Sequence, residues 1–188
     1  MRLFAVLWLL CCAEHAVAVE ARITTDLQRE LPTRHAVMRV YTGDINGDGR
    51  PDVVLLARSW DEANNPDTPR PLLLLLRDQR GRLQRVTRAD QVLRCRACGG
   101  VAGDPWARRD QYRAKVVIAP GRLTVLEFVG SGWRGWRITT FVWRGSRLWV
   151  AECRGKTWHT SHQFAPVFTR FKPRPVPIEV FNHRQHCP

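Results

Sequence analysis

The sequence predicts a mostly β chain: a single antiparallel β-domain, sandwich-like or partial-propeller-like, with a short N-terminal helix and a proline-rich C-terminal tail. Three observations predict it. Short apolar runs of strand length recur, Val53 to Ala57 and Leu72 to Leu76 being the densest, each bounded by Pro, Asn or Gly. Hairpin-type turn signals separate such runs at Asp78-Gln79-Arg80-Gly81, Pro120-Gly121 and Arg144-Gly145-Ser146-Arg147. The later two thirds of the chain carries no sustained helical period, which parallel βαβ units would need.

In chain order, Met1 to Ala18 reads as a secretory signal: Arg2, an apolar run from Leu3 to Ala13, then the small-x-small Ala16-Val17-Ala18. The run falls short of the roughly 20 residues that span a bilayer. Cys11 and Cys12 leave with it. Removal after Ala18 leaves about 170 residues, enough for one domain with its own core. The expected organisation is a signal over 1–18, a β-domain over 19–165 and an extended tail over 166–188, in a periplasmic or secreted protein.

Within the domain, Ile23 to Leu31 suits a short helix ended by Pro32. Ala36 to Tyr41 suits a strand running into Gly43. Trp60 to Arg70, polar and holding Pro66 and Pro69, suits a surface loop. Leu72 to Leu76 pairs with Leu83 to Val86, and a Gly-rich irregular stretch follows from Cys98 to Pro105. Four more strands are expected at Lys115 to Ile118, Leu123 to Val129, Ile138 to Trp143 and Leu148 to Ala151. In the tail, Pro173, Pro175 and Pro177 favour extended structure and forbid a central strand.

Four cysteines remain after the signal: Cys95, Cys98, Cys153 and Cys187. An even number in an exported chain points to two disulfides, with three possible connectivities. Cys95–Cys98 and Cys153–Cys187 are expected, because the first pair is local and the second staples the tail to the body. A zinc ribbon would need a second C-x-x-C, and a redox dithiol a βαβ setting.

The sharpest motif is Gly43-Asp44-Ile45-Asn46-Gly47-Asp48-Gly49-Arg50-Pro51-Asp52. Asp44, Asn46 and Asp48 stand at positions 1, 3 and 5 of a calcium loop, and Gly49 at position 6 permits the reversal. Arg50 at position 7 offers its carbonyl, and Asp52 at position 9 closes the site directly or through water. Hard oxygen donors of this kind favour Ca2+. Position 12 is Leu55, so this is not an EF-hand. The loop, followed at once by Val53-Val54-Leu55-Leu56, resembles the FG-GAP or VCBS repeat over Gly43 to Leu56. A broader resemblance is to small bacterial periplasmic proteins with a single copy of this motif. It rests also on Pro71 to Leu76, Leu93 to Gly100, Gly103-Asp104-Pro105, and Gly130 to Arg137 before Phe141. The resemblance implies a β fold and an envelope location, and it supplies no catalytic residue.

The formal net charge of +13 suits anionic partners. Lys occurs only at 115, 156 and 172, however, and the arginines are scattered as a GC-rich coding sequence would scatter them, whereas nucleic-acid readers cluster them. A protein is therefore the expected partner, an anionic envelope component a further candidate, and nucleic acid is not expected. Trp133, Arg134, Trp136 and Arg137 form the candidate binding surface, with core packing of the tryptophans as its rival reading. His159 with His162, and His183 with His186, have metal-ligand spacing but lack further ligands. Neither a nucleophile elbow at Ser131 nor a carboxylate acid–base pair emerges. The expected function is that of an exported, non-enzymatic, calcium-stabilised β-domain that binds another macromolecule in the bacterial envelope. An immunity or inhibitor protein acting on a toxin or hydrolase, and an envelope hydrolase, are the alternatives.

Overall fold

A computed structural model describes residues 25–108, 110–161 and 163–187, the side chain of Asp26 excepted. The signal segment and His162 lie outside the described residues. Two antiparallel sheets account for most of the fold, each a simple up-and-down meander. Sheet A holds β1 (His35–Gly43), β2 (Asp52–Ser59), β3 (Arg70–Arg77) and β4 (Leu83–Leu93) in that order. Sheet B holds β5 (Lys115–Ala119), β6 (Arg122–Gly130), β7 (Trp133–Arg144), β8 (Arg147–His159) and β9 (Val167–Phe171). A single β-domain of two sheets is thus present, with short helices α1 (Thr25–Arg29) and α2 (His183–His186) at its ends. No helix among the described residues is long and apolar enough to cross a membrane.

The unbroken apolar runs of β2 and β3 have a simple cause: sheet A is covered on both faces. Val54, Leu56, Leu72 and Leu74 join Val116, Leu123, Val125, Phe141 and Val150 of sheet B in the main core. Val53, Leu55, Leu73 and Leu75, alternating with them, pack under Leu27 of α1 in a second cluster. Strands buried on both sides lose the polar alternation of a half-exposed sheet. In β1 the alternation is interrupted by a bulge at Met38, between Val37 and Arg39. That extra residue returns Val40 to the α1 side and sends Tyr41 to the inter-sheet side.

The hairpin turns fall where expected, with Gly81, Gly121 and Gly145 at φ of 79°, 69° and 63°. Only residues without a Cβ adopt these values cheaply. The tail does more than lie along the surface. Val167–Phe171 pairs antiparallel with β8 as the outermost strand of sheet B, and Pro173, Pro175 and Pro177 follow it. Val176 then accepts a bond from the Val150 N–H, and Ile178 and Phe181 are driven fully into the inter-sheet core. Both expected disulfides form, Cys95–Cys98 and Cys153–Cys187, with Cα separations of 5.0 and 5.9 Å.

The second disulfide closes a loop of 34 residues that contains β9 and the core residues of the tail. On chain-entropy grounds it stabilises by about 3–4 kcal/mol. The double variant Cys153→Ser/Cys187→Ser is expected to lose about that much in urea unfolding, with a clearly lower Tm. A loss below about 1 kcal/mol would show that the tail holds its place without the staple.

Candidate functional site

The Asp44–Pro51 connection between β1 and β2 is organised by its own side chains. Asp44 accepts backbone N–H bonds from Gly47 (2.7 Å) and Asp48 (3.0 Å) on Oδ1, and from Gly49 (2.9 Å) on Oδ2. Asn46 Oδ1 accepts from Asp48 N at 3.1 Å, while its Nδ2 donates to Asp48 Oδ2 at 2.7 Å. The Arg50 backbone N–H donates to Asp48 Oδ1 at 2.9 Å, and the Arg50 guanidinium pairs with Oδ2. The Arg50 N–H, then the Asn46 amide, hold the Asp48 carboxyl below the usual carboxylate range. Gly47 and Gly49, at φ of 79° and 83°, turn the chain through conformations that disfavour any side chain.

Four of the five expected ligand residues present oxygen atoms at the surface. Asp44, Asn46, Asp48 and Arg50 all reach solvent; Asp44 Oδ2 and Asp48 Oδ1 each accept a single N–H and keep a second lone pair, while Asp44 Oδ1 and Asp48 Oδ2 each accept two bonds. Asp52 is differently used. It is fully buried, its Oδ2 accepting from Ile45 N and its Oδ1 from Arg77 N, both at 2.9 Å. Asp52 therefore ties the loop to the end of β3. The loop is also wedged into the seam between the sheets: Ile45 is buried in the inter-sheet core, and a Cβ on Gly43 would come within 2.7 Å of Ile118 Cγ2 of β5.

Trp133, Arg134, Trp136 and Arg137 do not share a face. They open β7, where successive residues point to opposite sides. Trp133 and Arg137 lie on the inner side; Trp133, 44% exposed, meets His159 and Phe164 at ring distances of 5.2 and 5.6 Å. Arg137 donates from Nε to His183 Nε2 at 3.0 Å. Arg134 and Trp136 lie on the outer side, where Trp136, Tyr112 and Trp158 crowd around Phe128 at 4.4–5.8 Å.

That outer side of sheet B is the feature sequence reading missed. The register places Lys115, Arg122, Arg134, Arg154, Lys156 and Arg170 on it, against one carboxylate, Glu152. Glu152 is already held by Arg154 and Arg170. Between these cations stand Val117, Leu126, Ile138, Trp136, Trp158 and Phe168, none of which belongs to either buried cluster. Lys156 sits 5.4 Å over the Phe168 ring and Arg108 within 5.6 Å of Tyr112. The signal was present as alternation in β7 and β8, Arg134-x-Trp136 and Arg154-x-Lys156-x-Trp158. Only strand pairing puts them side by side.

Several other polar residues have internal partners. Arg70, buried in sheet A, bonds Asp104 through both terminal nitrogens at 2.6 Å and pairs with Glu62 through Nε. Burial would raise Asp104, but the Arg70 hydrogen bonds outweigh it and hold the carboxyl below its usual range. Arg70, Asp104 and Trp106 line a shallow cavity of about 180 Å³. Glu127 Oε1 accepts from Arg94 N (2.8 Å) and Trp106 Nε1 (2.9 Å) in a fully enclosed position. Asp67 lies near Cys95 and Cys98, but both sulfurs are committed to the disulfide. His183 and His186 are taken up separately, by Arg137 and Asn182. No known protein family, curated protein or solved structure matches the chain.

Burial raises the Glu127 carboxyl above its ordinary range. The unfolded chain therefore releases this proton at lower pH than the folded chain does, and ionisation of Glu127 erodes stability as pH climbs from the unfolded to the folded value. Glu127→Gln keeps the acceptor oxygen and removes the titration. Its stability relative to the parent is expected to increase as pH rises above about 4, where the unfolded carboxyl ionises, read by urea unfolding at several pH values. A constant difference across that range would refute the assignment.

Proposed function

We propose that this chain is an exported, non-enzymatic binding module of the bacterial envelope, stiffened by Ca2+ at Asp44–Arg50, whose outer face on sheet B engages an acidic protein surface. The outer face of sheet B, with cations interleaved among aromatic and aliphatic side chains that lie outside both buried clusters, is the observation that supports this reading. Protein interfaces enrich Trp, Tyr, Phe and Arg, and a desolvated aromatic centre rimmed by charge supplies both affinity and specificity. The opposing acid, Glu152, is already neutralised by its arginines, so the face attracts anions on encounter. The buried carboxylates Asp52, Glu62 and Glu127 and the half-buried Asp104 each serve a backbone, arginine or indole partner, which favours a scaffold over a hydrolase.

Disulfides and a leader of secretory type support export. The cation would be held by the side chains of Asp44, Asn46 and Asp48 and the carbonyl of Arg50. By anchoring a loop inserted between the sheets, it would add rigidity to the inter-sheet seam. The FG-GAP resemblance of Gly43 to Leu56 agrees with that role.

Thermal melting in millimolar Ca2+ against chelator is expected to show a rise in Tm of several degrees, since a ligand at about 100 times its Kd adds about 2.7 kcal/mol. Asp48→Ala should abolish that response. Asp52→Ala should lower Tm with or without the ion, because it strands two backbone N–H groups. An identical parent melt in both buffers would remove calcium from the picture.

Capture of acidic envelope proteins by the immobilised domain is expected to fall at least about tenfold on Arg154→Glu/Lys156→Glu, and to weaken with salt. Arg80→Glu, on the exposed β3–β4 turn, serves as control. Equal capture by both variants would place the interface elsewhere.

A further inference from the structure

Sheet B ends in a free edge. All five residues of β9 are exposed, and among the described residues its backbone pairs only with β8. Phe168 is 70% exposed and Phe171 45%. An unshielded edge presents unpaired N–H and C=O groups that template another strand, and natural proteins usually cover or charge such edges. Here two phenylalanines and Val167 stand in view between Pro166 and Pro173.

The residue order selects what such an edge accepts. Val167-Phe168-Thr169-Arg170-Phe171 is self-complementary about Thr169. In a second copy placed antiparallel by a two-fold axis perpendicular to the sheet, Val167 meets Phe171, Thr169 meets Thr169 and Phe168 meets Arg170. Aliphatic–aromatic, Thr–Thr and cation–aromatic pairs are each favourable across strands. No two cations stand directly opposite, and Arg170 is already partnered by Glu152. Sliding the register by two residues one way sets Arg170 against Arg170 and brings in Pro173, and sliding it the other way draws Pro166 opposite Arg170.

We infer that β9 is a self-association edge, joining two five-stranded sheets into one continuous sheet in a two-fold dimer. The axis keeps both outer faces on the same side, so the two cationic and aromatic surfaces become one of twice the width. The phenylalanine rings offer on the order of 200 Å² per copy. With the backbone, the total interface is on the order of 1,000 Å², at the weak end of specific association, and the dimer Kd is on the order of 10 μM.

Sedimentation velocity of the disulfide-bonded protein, from about 1 to about 300 μM, tests this. A monomer–dimer equilibrium is expected, tightening as salt screens the net charge of +13. Phe168→Lys, which sets a second cation against Arg170, should weaken the dimer at least about tenfold. Phe168→Glu should retain or tighten it, now with salt weakening it, because an acid then faces Arg170 twice. Monomers throughout, or equal losses in the Lys and Glu variants, would overturn the assignment. Capture of an acidic partner weakens with salt while the parent dimer tightens, so failure of either can be told from failure of the other.

Discussion

Everything in this fold depends on β2 and β3 being apolar on both faces. Val53 to Leu56 and Leu72 to Leu75 are all but fully buried, alternate residues facing sheet B and α1. Each such side chain contributes about 2 kcal/mol on burial, an upper value because unfolded chains already hide part of it. A strand of this kind has no face to offer water, so the chain must supply two covers. Sheet B, with Ile178 and Phe181 returning from the far C-terminal segment, forms one; Leu27 and Leu31 form the other.

Polar groups then fix how the covers meet. Asp52 opens β2 and ties Ile45 and Arg77 together through two backbone bonds, so the loop and the strand ends move as a unit. Arg70 opens β3 and is locked between Glu62 and Asp104. Buried ion pairs of this sort gain little net stability against a hydrophobic alternative, but removing one partner is costly. Their effect here is positional: they pin the 60–63 and 104–106 segments over the sheet.

Sheet B is built asymmetrically. Its inner face completes the core, while its outer face keeps aromatic rings and cations that belong to neither buried cluster, with Phe128 buried there under Tyr112, Trp136 and Trp158. That face is balanced between apolar and positive groups, and all five residues of the last strand beside it are exposed. The Asp44–Pro51 loop lies elsewhere, in the seam between the two sheets, with Ile45 in their shared core and Gly43 against Ile118.

How much was legible follows from the range of each interaction. The strands, the hairpin turns and the Cys95–Cys98 pair are local in sequence, written in runs such as Leu72 to Leu76 and in glycines at left-handed positions. The sequence by itself determined a β-domain of hairpins and pointed to the local Cys95–Cys98 pair, because turn chemistry and apolar period act over a few residues, whereas Cys153–Cys187, 34 residues apart, belonged to one of three open connectivities that folding decided. Tertiary structure alone decided that Asp52 faces inward to the backbone and that Trp133 and Trp136 part to opposite faces. It also decided that Arg134, Arg154 and Arg170 converge on one face and that Phe181 closes the core. Those outcomes depend on strand register and sheet packing between residues tens of positions apart, where the pairing of β6 to β9 and not any short motif sets which side chains meet.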